Sequence, residues 1–153
     1  MTERSPIAPH GTPHVLIVAA GFLAAALAAC GDSLPTPPEE LDGGVLATFE
    51  VRSERFHVWT RDPETIQQLE ALEEGDSGAN IPNGELRRGP GPGEFNAPWS
   101  WHMDPESVEM AEVTTEVCDG TPSFVKSEVD YSVDEVGRYC PWSTELVGLQ
   151  DLR

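Results

Sequence analysis

Apolar and polar positions change period several times along this chain. Val15 to Ala29 is a continuous apolar run. From Val45 to Val51, the residues Val45, Ala47, Phe49 and Val51 alternate with Leu46, Thr48 and Glu50, the period of a half-buried strand. Arg55 to Thr60 repeats the pattern, with Phe56, Val58 and Thr60 opposite His57 and Trp59. The period then lengthens. Asp62 is placed to cap a helix, Pro63 sits at the first helical position where its missing donor costs nothing, and Ile66, Leu69 and Leu72 fall on one side. Glu70, Glu73 and Glu74 face water, and Gly75 stops the helix.

Asp76 to Ala97 is rich in turn residues. Asn83-Gly84 is spaced to close a hairpin between Ile81 and Leu86. Long irregular stretches in small domains are often binding loops. Trp99 and Trp101 share a strand face. A strand is predicted over Val108–Cys118, with Ala111, Val113, Thr115 and Val117 opposite Glu112, Thr114 and Glu116. Thr121-Pro122 opens a short helix through Phe124, Val125 and Val129, and the last strand is predicted over Ser143–Leu149.

The early apolar run spans about 22 Å as a helix, short of a hydrocarbon core of roughly 30 Å. It suits the apolar region of a signal peptide. It ends in Leu27-Ala28-Ala29-Cys30, and this stretch resembles the cleavage and lipidation motif of bacterial lipoproteins. The resemblance implies removal of residues 1–29, a diacylglycerol and further acyl chain such as palmitate on Cys30, and a place in the cell envelope outside the cytoplasm. Two or more acyl chains give stable anchoring where one does not. Residues 30–44 then read as the lipidated cysteine and a Pro/Gly-rich tether, and residues 45–150 as a globular domain.

The formal net charge is −18. Such a chain repels phosphate backbones, which excludes nucleic acid as a natural partner and leaves membrane holding to the lipid. Three cysteines become two once Cys30 is lipidated. Cys118 and Cys140 are then an even remainder where disulfides persist, with two free thiols as the alternative. Neither sits in a C-x-x-C pair, which argues against zinc.

Candidate chemistry is sparse. His57 and His102 are the histidines of the domain, and with Asp104 or Glu112 they have the ligand types of a zinc or iron site. Their spacing matches no metal motif. Asp104, Glu106, Glu109, Glu112, Glu116 and Asp119 include pairs of the kind used by glycosidases or calcium sites, and equally read as a solvated acidic face. Trp59, Trp99, Trp101 and Trp142 are either core or a platform for sugars. No nucleophile elbow, phosphate loop or dinucleotide fingerprint occurs.

Phe49–Arg61 with Asp62-Pro63-Glu64-Thr65-Ile66, then Gly84, Asn96, Trp99-Ser100-Trp101-His102-Met103-Asp104-Pro105, Glu116-Val117-Cys118-Asp119-Gly120 and Cys140-Pro141-Trp142 carry a second resemblance. Together they are similar to the small exported domain named after a cAMP-inducible prespore protein. That resemblance implies a secreted or surface-attached module, a Cys118–Cys140 disulfide and no assigned activity. Ser132 stands after Tyr131 where the resemblance leads one to expect tryptophan, a departure expected to loosen one core contact.

These observations lead to an α+β fold: one small domain with an antiparallel sheet of about five strands and one or two short helices, after a signal peptide and tether. The expected function is a membrane-anchored exported lipoprotein with a non-catalytic ligand- or partner-binding domain. Trp99, Trp101, His102 and His57 are its candidate contacts, and no catalytic residue or cofactor is assigned. The alternative is a metal-dependent enzyme or divalent-cation binder built on His57, His102 and Asp104.

Overall fold

A computed structural model of the chain describes residues 38–153. The expected signal peptide with its Leu27–Cys30 motif, and residues 31–37 of the expected tether, lie outside the described residues. Among those described, no helix is long and apolar enough to cross a membrane.

The fold is α+β with two antiparallel sheets. Strands β1 (Val45–Val51) and β2 (Glu54–Thr60) form a hairpin with Thr48 opposite His57. Its two-residue turn holds Arg52 and Ser53 at φ 49° and 70°, the left-handed geometry that matches strand twist in tight hairpins. Helix α1 (Pro63–Glu73) follows, and Asp62 caps it by accepting from the Thr65 N–H. Strand β3 (Ile81–Arg88) is the common partner of β4 (Trp101–Met103), β5 (Glu109–Ala111) and the short β6 (Arg138–Tyr139). Helix α2 (Pro122–Ser127), capped by Thr121, leads into a helical turn at Val129–Tyr131 and a π-helical turn at Ser132–Val136. Strand β7 (Thr144–Asp151) returns beside β1, completing a three-stranded sheet in the order β2-β1-β7.

The main core takes side chains from both sheets and from α1 and α2, including Phe49, Phe56, Leu69, Trp101, Val125 and Tyr139. Phe56 meets Tyr139 edge-on at 5.4 Å between ring centres, and Tyr139 meets Trp101 at 5.1 Å. The buried Tyr139 hydroxyl donates to the Gly120 carbonyl at 3.0 Å, and burial raises its pKa. A second cluster of Leu41, Trp59 and Phe95 covers the other face of β2. Ser132 is buried and lines a hollow of only about 20 Å³ with Leu86, Val125 and Tyr139.

Several sequence expectations are corrected. Asn83-Gly84 is no hairpin turn: β3 runs straight through it, with Asn83 opposite Glu109 and Gly84 opposite Tyr139. Glycine suits this close approach, since a Cβ would stand a tight 3.1 Å from the Met103 Cβ. The strand expected over Val108–Cys118 stops at Ala111, since Ala111 already pairs with Ile81, the first residue of β3. Beyond it the alternation has no partner, and Glu116–Cys118 forms a 3-10 turn. Trp99 lies before β4 instead of on a shared strand face, although its ring still tilts against Trp101 at 6.3 Å. The end of the expected tether belongs to the packed domain: Leu41 is buried, its carbonyl accepts from Trp59 Nε1, and Gly43 and Gly44 exchange backbone hydrogen bonds with Leu152. The single sheet of about five strands resolves into seven strands in two sheets.

Candidate functional site

The cleft that follows from this fold lies where β2 hands over to α1. Strand alternation sends Phe56, Val58 and Thr60 into the main core and turns Trp59 to the opposite face. Trp59 is fixed there by its hydrogen bond to Leu41, 3.1 Å long, and by Phe95 at 6.5 Å. Arg61, just past the strand, lays its guanidinium 4.9 Å from the indole centre and donates to the Asp42 carbonyl at 2.7 Å. Asp62 comes next. Its Oδ1 accepts from the Thr65 N–H at 2.8 Å and the Thr65 hydroxyl at 2.9 Å, and these bonds hold its carboxyl below the ordinary value. Asp62 is thus an anion at neutral pH, suited to attraction and unsuited to proton donation.

The facing wall is the turn after β4. Asp104 Oδ1 accepts from the Glu106 N–H at 3.1 Å, and Oδ2 accepts from Arg87 Nε at 3.1 Å. Thr60 ties the walls together: its hydroxyl donates to the Pro105 carbonyl and accepts from the Asp62 N–H, both at 3.1 Å. Pro92 closes one end. Its loop turns at Gly91, φ 86°, where a Cβ would sit inside the Phe95 ring. The resulting cleft has a volume of about 460 Å³ and is lined by Trp59, Arg61, Asp62, Pro92, Asp104, Pro105 and Glu106. That is the size range of small-molecule sites. Three carboxylates and one guanidinium share it, and the Glu106 carboxylate accepts no hydrogen bond among the described residues.

The residues singled out from sequence go to different places. Trp101 is fully buried, and Nε1 donates to the Pro122 carbonyl. Trp99 is half-buried, donates to the Arg55 carbonyl at 2.7 Å and carries Lys126 near its ring. Of the four tryptophans only Trp142 is exposed, so no platform of coplanar exposed indoles forms among the described residues. His57 Nδ1 lies 3.0 Å from Thr48 Oγ1, and burial lowers its pKa. His102 Nδ1 lies 2.8 Å from the Gly89 carbonyl, which can only accept, so that nitrogen carries the proton. Asp104 is engaged by Arg87. Each metal candidate has its own protein partner, and among the described residues no three histidine, cysteine or acidic side chains gather as a metal site. The carboxylates expected on one face scatter once β5 ends: Glu109 pairs with Arg138, and Asp119 accepts from the Trp142 N–H. Cys118 and Cys140 form a disulfide.

A family model, the BP-74 N-terminal domain, matches residues 45–152. The chain belongs to the BP-74 N-terminal domain family. The match begins at the first residue of β1 and includes every residue lining the cleft. No curated protein and no solved structure matches the chain.

Of the cleft residues, Trp59, Asp104 and Glu106 stand out in sequence as candidates for other chemistry and Asp62 as a helix cap, whereas Arg61, Pro92 and Pro105 do not stand out. The available signal was local: an arginine and an aspartate placed between an outward tryptophan and a helix cap.

Proposed function

We propose that this BP-74 N-terminal domain is displayed outside the cytoplasm on a lipid attached to Cys30, and that it binds a small amine-bearing ligand without transforming it. Export and anchoring rest on the Leu27–Cys30 motif and on the disulfide, which suits an oxidising compartment. The resemblance to the exported prespore module supports the same placement.

The observation that carries the binding half is the cleft between Trp59-Arg61-Asp62 and Asp104-Pro105-Glu106. Two prolines give rigid apolar walls. Carboxylates outnumber the single guanidinium, and the chain's charge of −18 draws cations toward it. The ligand's apolar body lies against Pro92 and Pro105, and its ammonium pairs with Asp62 and Glu106.

Titrating benzylamine into the full chain in detergent, followed by backbone amide shifts, tests this reading. Saturable shifts centred on Arg61, Asp62 and Glu106, weak with benzyl alcohol and lost in Glu106→Gln, are expected. Equal responses to amine and alcohol, or shifts centred elsewhere, would refute it.

A further inference from the structure

Arg61 is a cation without a carboxylate partner in a chain of 27 acidic and 9 basic residues. Among the described residues, Arg55, Arg87, Arg88, Arg138 and Arg153 each pair with at least one acidic side chain, and Arg61 does not. It stays unpaired although Asp62, Asp104 and Glu106 line the same cleft.

Other contacts hold the guanidinium in place. It lies 4.9 Å from the Trp59 ring centre, and Nη2 donates to the Asp42 carbonyl at 2.7 Å. Trp59 is itself buried and bonded through Nε1 to the Leu41 carbonyl. The cation is therefore pre-placed on a packed indole, and the rest of its fork has no acceptor among the described residues. A guanidinium in that condition suits a carboxylate, whose two oxygens match two N–H groups of the fork.

The acids of the cleft are placed for the opposite charge. Asp104 is engaged by Arg87, and Asp62 is fixed through Oδ1 by Thr65. Glu106 accepts no hydrogen bond at its carboxylate among the described residues, while its backbone N–H is anchored on Asp104 Oδ1. Opposite charges thus share one cleft without neutralising each other.

Such a cleft discriminates between ligands. A bare amine reaching Asp62 and Glu106 meets the charge of Arg61. A bare carboxylate reaching Arg61 meets three carboxylates. A ligand carrying both charges satisfies both sides, and repulsion works against its singly charged analogues. Pro92 and Pro105 add apolar surface, and a volume of about 460 Å³ admits a body of amino-acid size.

We propose that the ligand of this cleft is a small zwitterion of the amino-acid class with an apolar side chain. Its carboxylate takes the free donors of Arg61, its ammonium pairs with Asp62 and Glu106, and its side chain lies against Pro92 and Pro105. This ligand class rests on the amine-binding reading of the cleft and adds a carboxylate to the amine.

Calorimetric titration of the full chain, in detergent and about 0.15 M salt, with L-phenylalanine, phenethylamine and 3-phenylpropanoate tests it. The three share an apolar body and carry both charges, the ammonium alone or the carboxylate alone. Phenylalanine is expected to bind about fivefold tighter than phenethylamine, with phenylpropanoate weakest. The chain's charge of −18 favours the bare amine, so a preference for phenylalanine reports the local cation. In Arg61→Gln phenethylamine overtakes phenylalanine, and in Arg61→Lys the wild-type order holds. Arg52→Gln, the same charge change in the β1–β2 turn, also keeps that order. Phenethylamine binding as tightly as phenylalanine to the wild type would overturn the zwitterion and leave the amine reading standing. No binding by any of the three, with benzylamine also silent, would overturn both. An unchanged order in Arg61→Gln would overturn the role given to Arg61 and with it the proposal. If Arg61→Gln fails to fold, the three-ligand order in the wild type and in Arg61→Lys decides.

Discussion

Asn96 Oδ1 accepts the backbone N–H of His57 at 2.7 Å, across 39 positions of sequence. That N–H lies on the outer edge of β2, where no neighbouring strand can take it. The other end of the same amide donates to the Trp101 carbonyl at 2.8 Å. Trp99 Nε1 covers the next edge position by donating to the Arg55 carbonyl. The Gly/Pro loop is thereby stitched to the sheet, and an edge open to pairing with other chains is closed.

Asn96 is fully buried, so its loss leaves two backbone groups unsatisfied. Asn96→Ala is expected to destabilise the domain by about 3 kcal/mol, read from the urea midpoint at constant slope. A change below about 1 kcal/mol would show that the loop is not fastened there.

Reduction of Cys118–Cys140 releases a link across a sequence separation of 22 residues. Loop-closure arguments put the loss near 3 kcal/mol. Denaturation with and without reductant measures it. Because the cluster of Ile81, Cys118 and Cys140 is built on this link while the cleft is not, benzylamine binding should survive reduction under folding conditions.

Acid stability carries the mark of Asp62. Its folded pKa is lowered, first by the Thr65 N–H and then by the Thr65 hydroxyl. A lowered carboxyl contributes stability above its unfolded value, near 3.9, and loses it as pH falls through the folded value. Asp151, held at about 2 chiefly by Arg153, extends the same loss downward. Urea midpoints measured from about pH 6 to 2 should fall less steeply in Asp62→Asn, which still caps the helix but cannot titrate. An unchanged slope would mean that Asp62 is not coupled to folding.

Arg61 is the single cation in the cleft lining. Arg61→Ala removes its repulsion and should tighten benzylamine severalfold while loosening benzoate. Calorimetric titration of both ligands checks the sign. Weaker benzylamine binding in Arg61→Ala would mean that the guanidinium shapes the cleft and does not oppose the ligand.

The parts of this fold legible in sequence are those settled by neighbouring residues. Alternation from Val45 to Thr60 gave β1, β2 and their buried faces. The Asp62-Pro63 cap gave the start of α1. Gly84 misled because glycine serves turns and close approach alike, and only the distant Met103 decides which. Likewise, the strand after Val108 fails at Ala111 for want of a partner, a fact held in β3 about 30 positions away. The cleft was illegible for the same reason. Its lining comes from residues 59–62, 92 and 104–106, and it is joined by Thr60 reaching Pro105. Paired histidines and tryptophans drew attention in sequence, yet Trp101 is spent on the core and each histidine ring already has its own hydrogen-bond partner.

The proposed lipid attachment at Cys30 underlies the export and display readings together. Intact mass and membrane partitioning of the expressed chain beside Cys30→Ser test it most directly. The account predicts a lipidated chain beginning at Cys30 that partitions with membranes, and loss of both properties in the variant. A soluble wild-type chain cut elsewhere, or one that keeps residues 1–29 without lipid, would contradict it.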